Sequence, residues 1–79
     1  MWTVYVLESL TKKRLYIGMS ENLNRRVDEH NSGKVFSTKG FRPWQIIHSE
    51  EYPDSLSGIK REKYLKSGYG KMWLKQKYM

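Results

Sequence analysis

Two short runs at the start of the chain constrain its fold more tightly than anything after them. Trp2 to Glu8 alternates Val4 and Val6 against Thr3, Tyr5 and Leu7, which predicts a strand, and Arg14 to Gly18 predicts a second. Only Ser9-Leu10-Thr11-Lys12-Lys13 separates them, a polar stretch of hairpin-loop length. With the turn centred on Leu10-Thr11, Val4 faces Ile17, Val6 faces Leu15 and Tyr5 faces Tyr16. Alternation then sorts the aliphatic residues onto one face of the hairpin and both tyrosines onto the other. A slip of one residue would mix the two sets, so the clean sorting supports the pairing.

A helix is expected from Glu21 to Ser32, with Ser20 as its N-cap and Gly33 as its stop. Leu23 and Val27 form its buried stripe, and Arg26 and His30, also four apart, share the face beside that stripe. Lys34 to Arg42 reads as a loop and Pro43 to Tyr52 as a third strand. Asp54 or Ser55 caps a second helix running to about Lys66, Ser67-Gly68-Tyr69-Gly70 breaks it, and Lys71 to Tyr78 forms a short last helix. The order β-β-α-β-α-α suits an α+β fold: a small three-stranded antiparallel sheet flanked by helices, with residues 1–79 forming a single domain.

A chain of 79 residues buries a marginal core by area, so three Trp, six Tyr and two Phe must supply bulk. The absence of Cys excludes a disulfide scaffold and a thiolate zinc site. No apolar run is long enough to span a membrane, and the N-terminus lacks the pattern of a signal peptide, so a cytoplasmic location is expected. The formal net charge of +7 points to phosphate backbones as partner, against the plainer reading of a charged, soluble surface.

Five side chains carry candidate chemistry. Tyr5 and Tyr16 are ordinary strand aromatics unless a cation or metal lowers a phenol whose pKa is otherwise about 10. Arg26 is suited to clamp a phosphate in transition, and His30 to orient or donate a proton. Glu62, amid Lys60, Arg61, Lys63 and Lys66, is either a surface carboxylate in intrahelical ion pairs or a ligand for a hard cation. His48 reads as structural or surface, and Gly58 as a packing position. Exposed aromatics such as Trp44 or Trp73 leave room for a protein-interaction role.

These residues resemble the GIY-YIG nuclease family. Val4-Tyr5-Val6 stands where the family has its first motif, and Tyr16-Ile17-Gly18 is the second motif. The steps from Tyr5 to Tyr16, to Arg26 and to His30 are similar to the family spacing. Asn22-Leu23-Asn24-Arg25-Arg26 looks like the family's helix start, and Arg61-Glu62-Lys63-Tyr64-Leu65-Lys66 like its acidic motif. The chain looks like a small standalone member, similar to the N-terminal nuclease domain found in the excision-repair enzyme excinuclease ABC.

The resemblance implies Mg²⁺- or Mn²⁺-dependent hydrolysis of DNA in repair or recombination. Tyr5 or Tyr16 would help deprotonate the attacking water, Arg26 would stabilise the phosphorane-like charge, His30 would assist, and Glu62 would hold the metal. Lys34, Lys39, Arg42, Lys63 and Lys66 are candidate phosphate contacts that position rather than read DNA. A partner protein would supply DNA specificity, which larger relatives obtain from further domains. Two positions depart from the pattern. Thr3-Val4-Tyr5 replaces Gly-Ile-Tyr, and no Asn follows Asn31, so that role is missing, is taken by another side chain such as Gln76, or is supplied by a partner. The alternative is a catalytically weak or inactive nucleic-acid-binding module of the same fold.

Overall fold

The computed structural model describes residues 1–78. Its elements are β1 (Trp2–Ser9), β2 (Leu15–Ser20), α1 (Leu23–Asn31), a one-turn 3-10 helix (Lys39–Phe41), β3 (Trp44–Tyr52), α2 (Ser55–Lys66) and α3 (Gly68–Tyr78). The three strands form one antiparallel sheet in the order β2-β1-β3. This is the α+β architecture expected from the sequence. No helix among the described residues is long and apolar enough to cross a membrane.

The first strand is central and covered on both faces, so Thr3 to Leu7 are all buried. One face carries Val4, Val6 and Ile17, which pack with Leu65 of α2 and Leu74 of α3. The other carries Tyr5 and Leu7, which pack with Trp44 and, at the margin, Leu23 and Val27 of α1. Each buried aliphatic side chain contributes about 1.5–3 kcal/mol, and splitting them between two faces explains how so short a chain supports three helices.

The hairpin register differs from the expected one by two residues. Tyr5 faces Gly18, Val6 faces Ile17 and Leu7 faces Tyr16. Ser9 sets this register. It extends β1 to the turn, its amide donates to Arg14 O at 3.0 Å, and its hydroxyl accepts from the amides of Thr11 and Lys12 while donating to Phe41 O at 2.7 Å. A two-residue shift preserves alternation, so the aliphatic and tyrosine faces remain as sorted.

The first helix begins later than expected. Asn22, not Ser20, is the N-cap, its side chain accepting from Arg25 N at 3.1 Å. Ser20 ends β2 and uses its hydroxyl on Asn22 N and O instead. Gly33 terminates the helix with φ of 84°, a conformation that favours glycine. The third strand begins at Trp44, after a cis Arg42–Pro43 peptide, rather than at Pro43. Asp54 is the cap of α2, accepting from Ser57 N at 2.8 Å.

Residues 68–70 do not break the chain; they open α3. Ser67 alone interrupts, and its hydroxyl accepts from Gly70 N at 3.3 Å. Gly70 lies so close to Tyr64 O and the Leu65 backbone that any side chain there would collide, which lets α3 fold back on the end of α2. Gly58 is likewise a packing position, as its spacing suggested: a Cβ would lie 2.7 Å from Met19 Sδ.

Candidate active site

The site starts from the centre of the sheet. Tyr5 lies on β1 and is 1% exposed, while Tyr16, on the edge strand β2, is half-buried. Their ring centroids are 6.3 Å apart. Gly18 is the floor on which both rings lie. A Cβ there would stand 2.6 Å from the Tyr5 hydroxyl and 2.9 Å from a Tyr16 ring carbon. A glycine is required by this close approach of two aromatic rings to the backbone, not by any unusual φ.

His30 reaches the same place from the last turn of α1 and is fully buried. Its Nε2 is 3.1 Å from the Tyr5 hydroxyl, and its ring packs on Tyr16 with centroids 4.7 Å apart. The other ring nitrogen, Nδ1, is 2.8 Å from Thr38 Oγ1. Thr38 is 1% exposed, and its Oγ1 also lies 3.3 Å from Val35 O. A neutral imidazole donates through one ring nitrogen and accepts at the other, so in either tautomer His30 bridges the Tyr5 and Thr38 hydroxyls. Burial, followed by the nearby Arg26 charge, pushes the His30 pKa down, so the neutral ring is the stable form.

Tyr5 is the harder group to ionise. Burial and the neighbouring Tyr16 push its phenol up to about 12, and Arg26 opposes them without prevailing. Arg26 itself is half-buried and pairs with Glu29 Oε1 at 3.0 Å, a contact accessible to solvent and therefore weak enough to be exchanged for a phosphate. Glu62 sits on α2, against the other face of the sheet, yet its charge is felt at Tyr5. Its one ion-pair partner among the described residues is Lys66 Nζ, at 3.5 Å.

A metal fits this arrangement only loosely. No group of three or more His, Asp or Glu among the described residues is gathered to hold a metal ion. Glu62 offers a partly exposed, hard carboxylate whose ion-pair partner lies one helical turn away, which suits a cation that keeps several waters and needs few protein ligands.

The structure thus brings Tyr5, Tyr16, Arg26 and His30 together, with Glu62 within electrostatic reach. Sequence reasoning missed Thr38 and Glu29. Nothing in the spacing of a loop threonine marks it as the partner of a helical histidine, whereas Glu29, three residues after Arg26, lay at ion-pair spacing. Lys34, Lys39, Arg42, Lys63 and Lys66 are all exposed. Arg42 Nε donates to Lys39 O at 2.7 Å and lies against Gly33. Gln76 is exposed on α3, and among the described residues no hydrogen bond joins it to the five.

Two aromatics expected at the surface are not free. Trp44 is 4% exposed, its indole donating to Thr38 O at 2.9 Å. Trp73 packs against the aliphatic core with Arg61 and Lys77 over its ring. His48 is structural, as read: its Nε2 is 2.7 Å from Glu50, and its ring stands edge-on to Trp73.

The family model for the GIY-YIG catalytic domain matches residues 1–78. The chain belongs to the GIY-YIG family. It is similar to a UPF0213 protein of Syntrophus aciditrophicus, 47% identical over 80% of this chain and 74% of that one. It is also similar to human structure-specific endonuclease subunit SLX1, 29% identical over 78% of this chain but only 24% of that longer protein. Among solved structures, a UPF0213 protein of Bacillus halodurans superposes with a TM-score of 0.58 and 27% identity, covering 99% of this GIY-YIG chain and 86% of that one. These matches place the chain in a nuclease family whose members generally depend on divalent metals.

Proposed function

We propose that this chain is a metal-dependent endonuclease that hydrolyses DNA phosphodiester bonds, with residues 1–79 acting as one domain. The observation that carries the reading is the convergence of Tyr5 and Tyr16 over Gly18 with the buried His30 ring, the Arg26 guanidinium lying near the Tyr5 phenol. Such a cluster is far more than a sheet face needs for packing. A role in DNA repair follows from the resemblance to the excision-repair nuclease domain, and the similarity to a structure-specific endonuclease subunit supports a nuclease. A partner protein that supplies DNA specificity and a cytoplasmic location belong to the same reading.

The residues divide the work by position. Tyr16, nearer the solvent, is the phenol that an incoming water meets first. Tyr5, behind it, is hydrogen-bonded to Nε2 of the neutral His30 ring, which holds the phenol in place. With its pKa near 12 the Tyr5 phenol does not act as a free phenolate, so a proton it accepts must be matched by one it passes on. Arg26 leaves Glu29 to stabilise charge on the phosphoryl oxygens. Glu62 would hold Mg²⁺ or Mn²⁺, which supplies polarisation of the phosphoryl group and neutralises the leaving oxygen. Lys34, Lys39, Arg42, Lys63 and Lys66 would hold the flanking phosphates.

The test is to incubate pure protein with nicked, branched and plain DNA and either metal. Cleavage is expected with wild type and is expected to fall at least 100-fold in Arg26→Ala and Glu62→Ala, a loss of the size removal of a charge-stabilising group produces. Cleavage that survives both substitutions belongs to a contaminant and ends the reading. The second reading keeps the fold and drops the chemistry; the position of Gln76, bonded to none of the five, favours it. Salt-sensitive DNA binding with no cutting in any metal would establish it.

A further inference from the structure

Phe36 is the most exposed large apolar side chain among the described residues, with 85% of its surface in water. One exposed apolar residue needs no explanation. The way this one is held does. It occupies the second position of a turn closed by Thr38 N donating to Val35 O at 3.2 Å, and Lys39 N donates to the same oxygen at 3.1 Å. The far end of that turn, Thr38, is fixed on both sides: its hydroxyl is hydrogen-bonded to His30 Nδ1, and its carbonyl accepts from the buried Trp44 indole. The ring is therefore anchored to the residue that orients the site histidine, with its Cα no more than about 7 Å from that of Thr38.

Cations flank it. Lys39 Nζ lies 5.5 Å from the Phe36 ring centroid, and Lys34 is exposed two residues before it. An aromatic ring held in water beside a lysine ammonium matches what an unstacked nucleobase and its phosphate offer. Stacking takes any base, because every base has a π-face. A base inside an intact duplex is already stacked on its neighbours and offers no face to a protein ring.

We propose that Phe36 is a stacking platform for an unpaired base, and that the preferred DNA carries such a base beside the bond to be cut, as at a flap or junction. This rests on the nuclease reading above and names its substrate class.

The probe is a duplex with a single-stranded flap whose first unpaired base is 2-aminopurine, compared with plain duplex, without divalent metal so that nothing is cut. Wild type and Phe36→Trp should bind the flap and quench the probe. Phe36→Ala should bind the flap roughly 5- to 150-fold more weakly, yet bind plain duplex within about twofold of wild type. Tyr69→Ala, which removes an aromatic 80% exposed on α3, is the control and should change neither. Equal flap binding by Phe36→Ala and wild type overturns the proposal alone, as does an equal loss on both DNAs. Wild type that binds neither DNA at low salt overturns the nuclease reading and this proposal with it.

Discussion

Gly18 shows how little a single position can be changed in this site. Its place in a strand would ordinarily tolerate alanine, since its φ is not in the left-handed region. The obstacle is the Tyr5 ring, which is 1% exposed and has nowhere to withdraw, so a methyl 2.6 Å from its hydroxyl forces the ring off His30. Gly18→Ala should therefore destabilise by about 1–3 kcal/mol, the range for overpacking a filled core, and also suppress cleavage. Urea unfolding gives the first quantity. An imidazole resonance of His30 that no longer reports a hydrogen bond at Nε2 would locate the damage. A stable Gly18→Ala protein with wild-type His30 signals would contradict this account.

At the scale of elements, one irregularity decides where the third strand puts its side chains. Val6 faces His48 but Leu7 faces Ile46, so Ile47 is an extra residue in β3. Without that bulge, Trp44 would fall on the same face as His48, Glu50 and Tyr52, beneath α2 and α3. With it, Trp44 joins Tyr5, Leu7 and Tyr16 on the α1 face and reaches Thr38. Asn31, at the end of α1, holds it there by donating to Trp44 O at 3.1 Å and accepting from Trp44 N at 2.6 Å. Asn31→Ala removes both bonds from a buried strand end and should cost about 1–3 kcal/mol. Hydrogen exchange should speed up at Trp44 N and at the Thr38 loop while the β1–β2 amides stay protected. Uniform loss of protection would argue against a local clamp.

Across the whole molecule, one charge cluster ties the sheet to the second helix. Glu50 of β3 accepts from Arg61 Nε at 2.8 Å and Nη2 at 3.0 Å, and from the Tyr52 hydroxyl at 2.6 Å. Burial alone would push its carboxyl up; the bonds from Arg61, Tyr52 and His48 outweigh burial and hold it at about 2. The unfolded chain binds its proton near the ordinary value of 4.5, so the stability this group contributes is fully present above that value. It is lost as pH falls through 4.5 toward 2. After discounting for solvent screening, the shift corresponds to roughly 2–3 kcal/mol. Wild type should lose that much between pH 5 and pH 2 beyond any loss in Glu50→Gln, as read from urea midpoints across the range. Parallel curves for the two proteins would remove Glu50 from the cause of acid sensitivity. The buried His30, with its pKa pushed down, acts in the same direction.

Much of this was legible in the sequence because it depends on short-range rules. Alternation put the aliphatic and tyrosine residues on opposite faces, and this survives even a two-residue change of register, since the strand period is two; helical spacing put Arg26 and His30 on one face of α1. What the sequence could not determine are the contacts that close over long separations. Ser9 fixes the hairpin through Phe41, the bulge at Ile47 turns Trp44 inward, and Thr38 reaches back to His30. None has a local signature, because each exists only once the sheet has closed and a buried donor must find an acceptor from a distant segment. Position along the chain thus set which residues could meet, while burial and hydrogen-bond satisfaction in the folded state decided how they meet.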